Sequence, residues 1–437
     1  MSEINHAIKG TADILPDRVY KYQYIEKVML ETAFNFGFKE IRVPVFEHTE
    51  VFSRNVGETT DVVQKEMYTF SDKGGRSLTL RPELTAGTVR SMIEHGLLSG
   101  ILPQKVCYIG GCYRYEKPQA GRMREFHQFG VECFGAASPA ADAEIISLAS
   151  SVLKNLGVNN LRLEINSIGC PECRKEYQKA LKDYFYANID QLCDTCKERL
   201  ERNPMRILDC KSPVCSKLAL NAPKVTDYLC EDCKTHFDGV KSYLDAIGLD
   251  FKVNPNIVRG LDYYSKTVFE FISGDIGAQS TVCGGGRYDG LVSKMGGQDI
   301  PALGFAIGIE RLMLLLENNA VPFPEEKKFD IYIGSMGESA RLKAAQLCSE
   351  LRKEGFSALT DISEKGLKAQ MKYADKSGAL YSTVIGENEL SADKAIIKNM
   401  LTGELSEVTL SNISNELLEI KNKQALLNLE NSIEGAF

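Results

Sequence analysis

Four arginines and two glutamates of this chain fall where apolar strands begin or end. From residue 107 the sequence reads CYIGGCYRYEKPQAGRMREFHQFGVECFG, with Arg114, Arg122 and Arg124 interleaved with Glu116, Glu125 and Glu132. Arg81-Pro82-Glu83-Leu84-Thr85 follows an apolar strand, and Arg259-Gly260-Leu261-Asp262-Tyr263-Tyr264 precedes another. Arg311 falls in the first turn of a helix that follows a glycine-containing strand. A helix N-terminus attracts anions, and a guanidinium adds a planar fork of donors. Arg114, Arg122, Arg259 and Arg311, if they converge, suit a polyanion such as a nucleoside triphosphate. Glu83 and Glu132 suit a cationic or donor-rich small molecule. Cys283-Gly284-Gly285-Gly286-Arg287-Tyr288 lets backbone approach a ligand closely, although a glycine run alone is more often a turn. On the hairpin alone, an equally good account is a solvated face of cross-strand ion pairs. His127 beside Gln128 reads as structural rather than catalytic.

The elements that must carry these residues are legible as a pattern. Residues 19–37 read as an amphipathic helix ended by Gly37, and FKEIRVPVFE as a strand with Pro44 at an edge, bulge or end. Leu78 to Leu80 is a strand, followed by Pro82 and a helix through Ile93. Val106 to Ile109 and Phe126 to Phe134 form the two strands of the charged hairpin; residues 142–156 suit a helix and 160–166 a strand. YYSKTVFEFI and GAQSTVCGGGRYDGLV return to strand character, and ALGFAIGIERLMLLLE runs from strand to helix. After the proline-rich linker VPFPEEKK, strands FDIYIGS, SALTD and LYSTVIG alternate with helical segments, which argues for βαβ units on a mixed or parallel sheet.

The fold class expected is therefore α+β: an antiparallel sheet with flanking helices, a helical insertion and a C-terminal α/β domain. The expected boundaries are 1–325 for the first domain, with the insertion at about 169–250, then 329–425 for the second and 426–437 as a tail. A length of 437 residues fits two or three domains. The 52 lysines and arginines against 59 aspartates and glutamates give a net charge of −7. That excludes a whole-molecule basic field for nucleic acid and leaves room for a local basic face. No apolar run is long enough to span a bilayer, and the N-terminal residues lack a secretory pattern, so a cytoplasmic protein that touches neither membrane nor DNA is expected. Neither a G-x-x-x-x-G-K-[ST] loop nor a G-x-G-x-x-G after a strand occurs.

Eight of the thirteen cysteines lie in the insertion. Cys170/Cys173, Cys193/Cys196 and Cys230/Cys233 are C-x-x-C pairs, with Cys210 and Cys215 between the last two. Such pairs suit a tetrahedral structural zinc site. The first choice of ligands is Cys193, Cys196, Cys230 and Cys233, with Cys210 as a substitute. The alternative is scattered reduced thiols, since Cys107, Cys112, Cys133, Cys283 and Cys348 lie elsewhere.

Taken together these stretches resemble class II aminoacyl-tRNA synthetases, and among them the histidyl-tRNA synthetase family. The resemblance runs from KGTADILP through the last domain. The stretch around Pro44 is similar to motif 1, the dimer-interface motif. YRYEKPQAGRMREFHQFGVECFG is similar to motif 2 and GFAIGIERL to motif 3. More specific are RGLDYYSKTVFEF and CGGGRYDGL, which resemble two signatures of the histidine enzymes. KGLKAQMKYADKSGA resembles the anticodon-binding domain, with Lys365, Lys368, Lys372 and Lys376 as candidate phosphate contacts or, equally, a solubilising face.

The resemblance implies ATP-dependent, magnesium-assisted activation of L-histidine and its transfer to tRNA(His) by a homodimer. Arg114 would hold the α-phosphate with Glu116 near the adenine, and Arg122 and Arg311 the γ-phosphate. Glu83 and Thr85 would take the α-amino group, and Gln128 and Arg259 the carboxylate. Glu132 and Tyr264 would contact the imidazole, with Tyr263 and Tyr288 lining the pocket. The competing expectation is a catalytically inactive relative that serves as regulatory subunit of a phosphoribosyltransferase of histidine biosynthesis. Such proteins lack the anticodon-binding domain and erode the ATP arginines, and this chain keeps both.

Overall fold

The computed structural model describes residues 5–54, 60, 62–210, 212–275 and 281–434, with side chains described as far as Lys423. The start of the expected GAQSTVCGGG strand and the end of the expected tail lie outside the described residues. The chain forms two compact units, Met1–Pro324 and Glu325–Phe437.

The first unit is built on an eight-stranded sheet. In spatial order its strands are Lys39–Glu40, Gln104–Tyr113, Glu125–Phe134, Ala302–Gly308, Thr281–Arg287, Ser265–Ile272, Arg162–Ser167 and Lys252–Val253. The six central strands are antiparallel, and a two-residue parallel strand closes each edge. One face of this sheet packs on helices; the other carries the charged hairpin positions. On the helical face, Ile145, Ile146, Ala149 and Val152 of the helix Pro139–Asn155 meet Phe129, Val131, Phe269, Phe305 and Ile307 of the strands, all buried. That helix starts where Ser138 accepts a hydrogen bond from the Ala140 N–H and Pro139 takes the first helical position, where a missing N–H does no harm. The first helix, Pro16–Asn35, starts on Pro16 and stops before Gly37, which is left-handed at φ 82°.

The expected strand FKEIRVPVFE is not one strand. Lys39–Glu40 joins the large sheet, and Phe46–His48 joins a separate three-stranded sheet with Ser77–Leu80 and Thr69–Ser71. Pro44 has no N–H to give a ladder, so pairing lapses around it. The carbonyls left over are taken by Arg81, whose Nη1 donates to Val43 O at 2.7 Å and Pro44 O at 3.2 Å while its Nε donates to Gly111 O. Arg81 is thus committed to backbone.

The insertion is helical: Pro171–Tyr186, Asp194–Arg202, Pro213–Leu220 and Glu231–Ala246, joined by short 3₁₀ turns. Its apolar residues Tyr177, Leu181, Phe185, Leu200 and Ile207 share one buried cluster with Ile257, Tyr263, Tyr264 and Tyr288 of the first unit's sheet and loops. The second unit has a five-stranded sheet, in order Ala358–Thr360, Ile331–Ser335, Tyr381–Ile385, Lys394–Asn399 and Leu405–Thr409. The first three are parallel and the last two antiparallel, so the βαβ expectation holds for the first half and a hairpin completes the sheet. The helix Ile413–Glu434 spans the boundary set at 425, so residues 426–434 continue that helix.

Candidate active site: one cavity with an acidic end and an arginine end

The register of the large sheet sets the acidic end. Glu132 lies opposite Val106 on one side and Gly304 on the other. A side chain at 304 would overlap the Glu132 carboxylate, so glycine there opens the space Glu132 occupies. Glu132 is buried, with Tyr108 Oη donating to it at 2.8 Å and Tyr288 Oη also donating. Burial, with the nearby Glu83 adding to it, pushes its pKa up to about 8 against these hydroxyl donors. Glu83, also buried, accepts the N–H groups of Thr85 at 2.7 Å and Ala86 at 2.9 Å, which open the helix Thr85–Glu94. Burial raises its pKa as well, with those N–H donors acting against the shift. The Thr85 hydroxyl lies 3.5 Å from Tyr108 Oη. Tyr263 packs against Tyr264 at 4.8 Å and against Tyr288 at 5.5 Å between ring centres. The result is a floor of two carboxylates and aromatic rings; among the described residues neither carboxylate forms an ion pair, and the nearest cationic influence is that of Arg114 on Glu83.

The arginine end is built from different elements. Arg114 follows the first hairpin strand, stacks on Phe126 at 5.2 Å and donates from Nε to Pro82 O at 2.8 Å. Arg311 is the third residue of the helix Ile309–Asn318 and donates to Thr281 O at 2.8 Å. Arg122, on the hairpin loop, lies 3.3 Å from Glu116, and Arg114 lies 3.7 Å from the same carboxylate. The Arg311 pKa is lowered, first by burial and then by Arg122, with Arg114 and Arg259 adding to the effect. A buried arginine whose pKa is lowered by neighbouring cations marks a place suited to receive an anion. Arg259 links the ends: it pairs with Glu270, lies 5.9 Å from the Tyr264 ring centre, and acts on Arg311 from the other side. Gly284 leaves it room, since any side chain there would strike the guanidinium.

All twelve candidate residues therefore line one cavity of about 280 Å3: Glu83, Thr85, Arg114, Glu116, Arg122, Gln128, Glu132, Arg259, Tyr263, Tyr264, Tyr288 and Arg311. Three contributors escaped the sequence reading. Glu270 orients Arg259 and accepts from Thr281 Oγ1 at 2.9 Å; its only signal is an acid inside the apolar strand TVFEF. Glu310 accepts the His127 N–H at 2.8 Å and faces His127 Nδ1 at 2.8 Å, pinning the hairpin to the arginine-bearing helix. That contact, foremost among the causes, raises the His127 pKa. Tyr108 belongs to an apolar run and carries no sequence mark of its hydrogen bond to Glu132.

The cysteines assemble otherwise than expected. Cys193, Cys196, Cys230 and Cys233 do not form one site. Cys193 and Cys196 gather with Cys210 and Cys215, and Cys230 and Cys233 with Cys170 and Cys173. The reason is topological: the insertion leaves the sheet after Arg162–Ser167 and returns to its neighbour Lys252–Val253, so its first and last C-x-x-C pairs meet. Both quartets are compatible with a metal ion.

The family model over the first unit and the curated relatives agree on one family. The family model described as histidyl-tRNA synthetase matches residues 10–312, and one described as an anticodon binding domain matches residues 330–420. A histidine–tRNA ligase of Acetivibrio thermocellus is 56% identical over 95% of this chain and 99% of its own. One from Clostridioides difficile is 50% identical over 95% and 99%. Among solved structures, the apo histidyl-tRNA synthetase of S. aureus is similar at a TM-score of 0.80 and 40% identity, covering 94% of this chain and 99% of that one. Among the described residues no helix is long and apolar enough to cross a membrane.

Proposed function

The chain belongs to the histidyl-tRNA synthetase family, and from that premise we propose how its residues divide the work of charging tRNA(His) with histidine. It is a histidine–tRNA ligase, an ATP-dependent enzyme that forms histidyl-adenylate and passes histidine to tRNA. The observation that supports the assignment of residues is the polarity of the cavity, with two buried carboxylates at one end and, at the other, arginines that together lower the Arg311 pKa.

Histidine would enter at the acidic end. Glu83 and Thr85 would hold the ammonium group, and Glu132 and Tyr264 the two ring nitrogens, with Tyr263 and Tyr288 as walls. A floor that hydrogen-bonds both ring nitrogens leaves polar groups buried and unpaired when an apolar analogue enters, and such sites discriminate by roughly 10⁴–10⁵. ATP, as its magnesium complex, would lie along Arg114, Arg122 and Arg311. Glu116, which sits between Arg114 and Arg122, would turn towards the adenine once phosphates take its place. Gln128 and Arg259 would bring the histidine carboxylate to the α-phosphorus. There one carboxylate oxygen forms the new P–O bond as the bond to pyrophosphate breaks, and Arg122 and Arg311 receive the departing charge. The protein makes no covalent bond; it positions two like-charged reactants and stabilises the charge that moves. The tRNA terminal ribose hydroxyl then attacks the acyl carbon and AMP leaves.

The unit after the linker would bind the anticodon, with Lys368, Lys372 and Lys376 exposed on the helix Leu367–Lys376 and Lys365 exposed just before it. The insertion's cysteine quartets suit structural zinc, because four thiolates leave no open position for a substrate. We assign the protein to the cytoplasm and to a homodimer on family grounds. The inactive-regulator reading is disfavoured, since the cavity keeps Arg114, Arg122, Arg259 and Arg311 and the anticodon-domain match covers residues 330–420. The test is histidine-dependent exchange of pyrophosphate into ATP, followed by charging of tRNA(His). Exchange that requires histidine and no other amino acid is expected; exchange absent, or indifferent to histidine, overturns the proposal.

A further inference from the structure

Three of the four cysteine pairs share one local geometry. Cys170, Cys193 and Cys230 each occupy the position just before a helix, in extended conformation with ψ of 176°, 158° and 165°. The second cysteine of each pair then falls at the third helical position, so both sulfurs face the helix N-terminus, where the dipole and free N–H groups favour thiolate. Two such N-termini meet in one quartet. In the other, the Cys193–Cys196 turn faces Cys210 and Cys215, the latter being the third residue of the helix Pro213–Leu220.

Within each quartet all four sulfurs lie within 4.8 Å of one another. Cys170 and Cys173 are 3.5 Å apart, Cys170 and Cys230 4.0 Å, and Cys193 and Cys210 3.9 Å. Sulfurs around a tetrahedral zinc at about 2.3 Å would be roughly 3.8 Å apart. Backbone donors already point at the sulfurs: Cys230 N at Cys173 Sγ, 3.1 Å, and Cys193 N at Cys215 Sγ, 3.3 Å. Such N–H···S contacts delocalise thiolate charge around a metal.

Both quartets adjoin segments that grip the loop carrying Arg259, Tyr263 and Tyr264. One residue beyond Cys173, Arg174 donates to Tyr264 O at 3.0 Å. On the same side, Lys266 N donates to Gly169 O at 3.0 Å. Between Cys196 and Cys210, Asn203 Nδ2 donates to Asp262 Oδ1 at 3.2 Å and Arg206 Nη2 to Gly260 O at 2.7 Å. The loop is thus held by two short segments, each adjoining a quartet.

We propose that the insertion binds two zinc ions, one in Cys170/Cys173/Cys230/Cys233 and one in Cys193/Cys196/Cys210/Cys215, and that these ions brace the 259–264 loop through Arg174 and Arg206. The brace rests on the reading of that loop as part of the histidine site; the metal count does not. Arg174 and Arg206 are positioning residues, since they touch the loop's backbone and Asp262 and neither lines the cavity. Zinc takes up the thiolates and releases their protons, so loading needs no oxidant or reductant.

Full-length protein purified without added metal should carry two zinc ions per chain, and a mercurial should release each with four thiols. Cobalt exchanged into both sites should give the visible bands of tetrahedral thiolate coordination. A count of zero or one zinc, or disulfides within the quartets, overturns the two-site assignment. Arg206→Met and Arg174→Met should each raise the histidine KM in pyrophosphate exchange by about 10-fold, the loss of one charged donor. The ATP KM and the zinc count should not move. An unchanged histidine KM in both variants overturns the brace. Wild-type protein with two zincs and no histidine-dependent exchange would instead count against the proposed reaction, which separates the two failures.

Discussion

At the acidic end of the cavity Glu83 and Glu132 are 4% and 1% exposed and are held by backbone N–H groups and tyrosine hydroxyls. At the arginine end the Arg122 side chain is 44% exposed and Arg114 20%, and they share one carboxylate, Glu116. The first end is shaped before any ligand arrives, and burial works against the charge of both its carboxylates. The second keeps its charge, disperses it over several guanidiniums, and is free to regroup around phosphates. A rigid, buried, hydrogen-bonding floor suits discrimination between similar small molecules. A partly open cluster suits a flexible polyanion that must also depart. The comparison predicts that substitutions at the acidic end change which amino acid is bound, and those at the arginine end how well the nucleotide is held. Arg259, which touches both, should affect the chemical step.

Arg259→Ala should give the largest effect, lowering adenylate formation by ~10²–10³, as loss of one preorganised charged donor does. Arg259→Lys should recover little, because lysine supplies charge without the planar fork that spans Glu270 and a ligand. Pyrophosphate exchange within a few-fold of wild type in the alanine variant would remove Arg259 from the chemistry and break the link between the two ends. Next in size is Glu132→Gln. An amide keeps the volume beneath Gly304 but gives up the charge-assisted hydrogen bond, so the histidine KM should rise ~10–100-fold. The ATP KM should stay within twofold. A parallel rise in both would mean that the ends are not separable.

How far this division was legible in the sequence follows from what each residue needs around it. Charged residues at the ends of apolar strands stand out because burial there is expensive without a purpose, so Arg114, Glu132, Arg259 and Arg311 could be chosen from the chain alone. Glu270 and Glu310 could not, since each sits inside an element whose pattern hides it and reveals its role only through register and packing. The break at Pro44 was marked by the proline, but two strands in two sheets rather than one followed from Arg81 capturing the carbonyls beside it. The cysteine pairs were visible and their grouping was not. Spacing along the chain does not record that the two ends of an insertion leave neighbouring strands, which is what brings Cys170 to Cys230.

The protonation state of Glu132 gives a third, pH-dependent way to sharpen the comparison. Burial pushes its pKa up to about 8, so at neutral pH the free protein holds the proton. The imidazole of free histidine is neutral above about pH 6.5. The complex is expected to hold one proton between carboxylate and ring. From about pH 6.5 to 8 the separate partners already carry that single proton, and affinity should be flat. At lower pH the imidazole carries a second proton that must be shed on binding. At higher pH the free protein has lost its proton and must regain one. Affinity should therefore fall by up to ~10-fold per pH unit on either side. Histidine binding by calorimetry across this range tests the shape, and Glu132→Gln should remove the contribution of Glu132 to the upper limb. A profile still rising above pH 8 would mean that the carboxylate binds the ring without a shared proton.

The smallest effect is expected at the exposed extreme of the arginine end. Arg122 sits on the hairpin loop and meets Glu116 at 3.3 Å with 44% of its side chain in solvent. Water and salt screen such a group, and exposed ion pairs are worth only a fraction of a buried one. Arg122→Ala should accordingly raise the ATP KM by about 1.4–5-fold at low ionic strength, a range set by the ~0.2–1 kcal/mol of exposed pairs. The histidine KM should be unchanged. The difference from wild type should shrink as salt rises, since what is lost is screened charge rather than a buried hydrogen bond. An ATP KM raised 50-fold or more, insensitive to salt, would show that the loop closes over the phosphates and buries Arg122 in the working complex. The arginine end would then be as preorganised as the acidic one once ligand is bound, and the contrast between the two ends would be confined to the free protein.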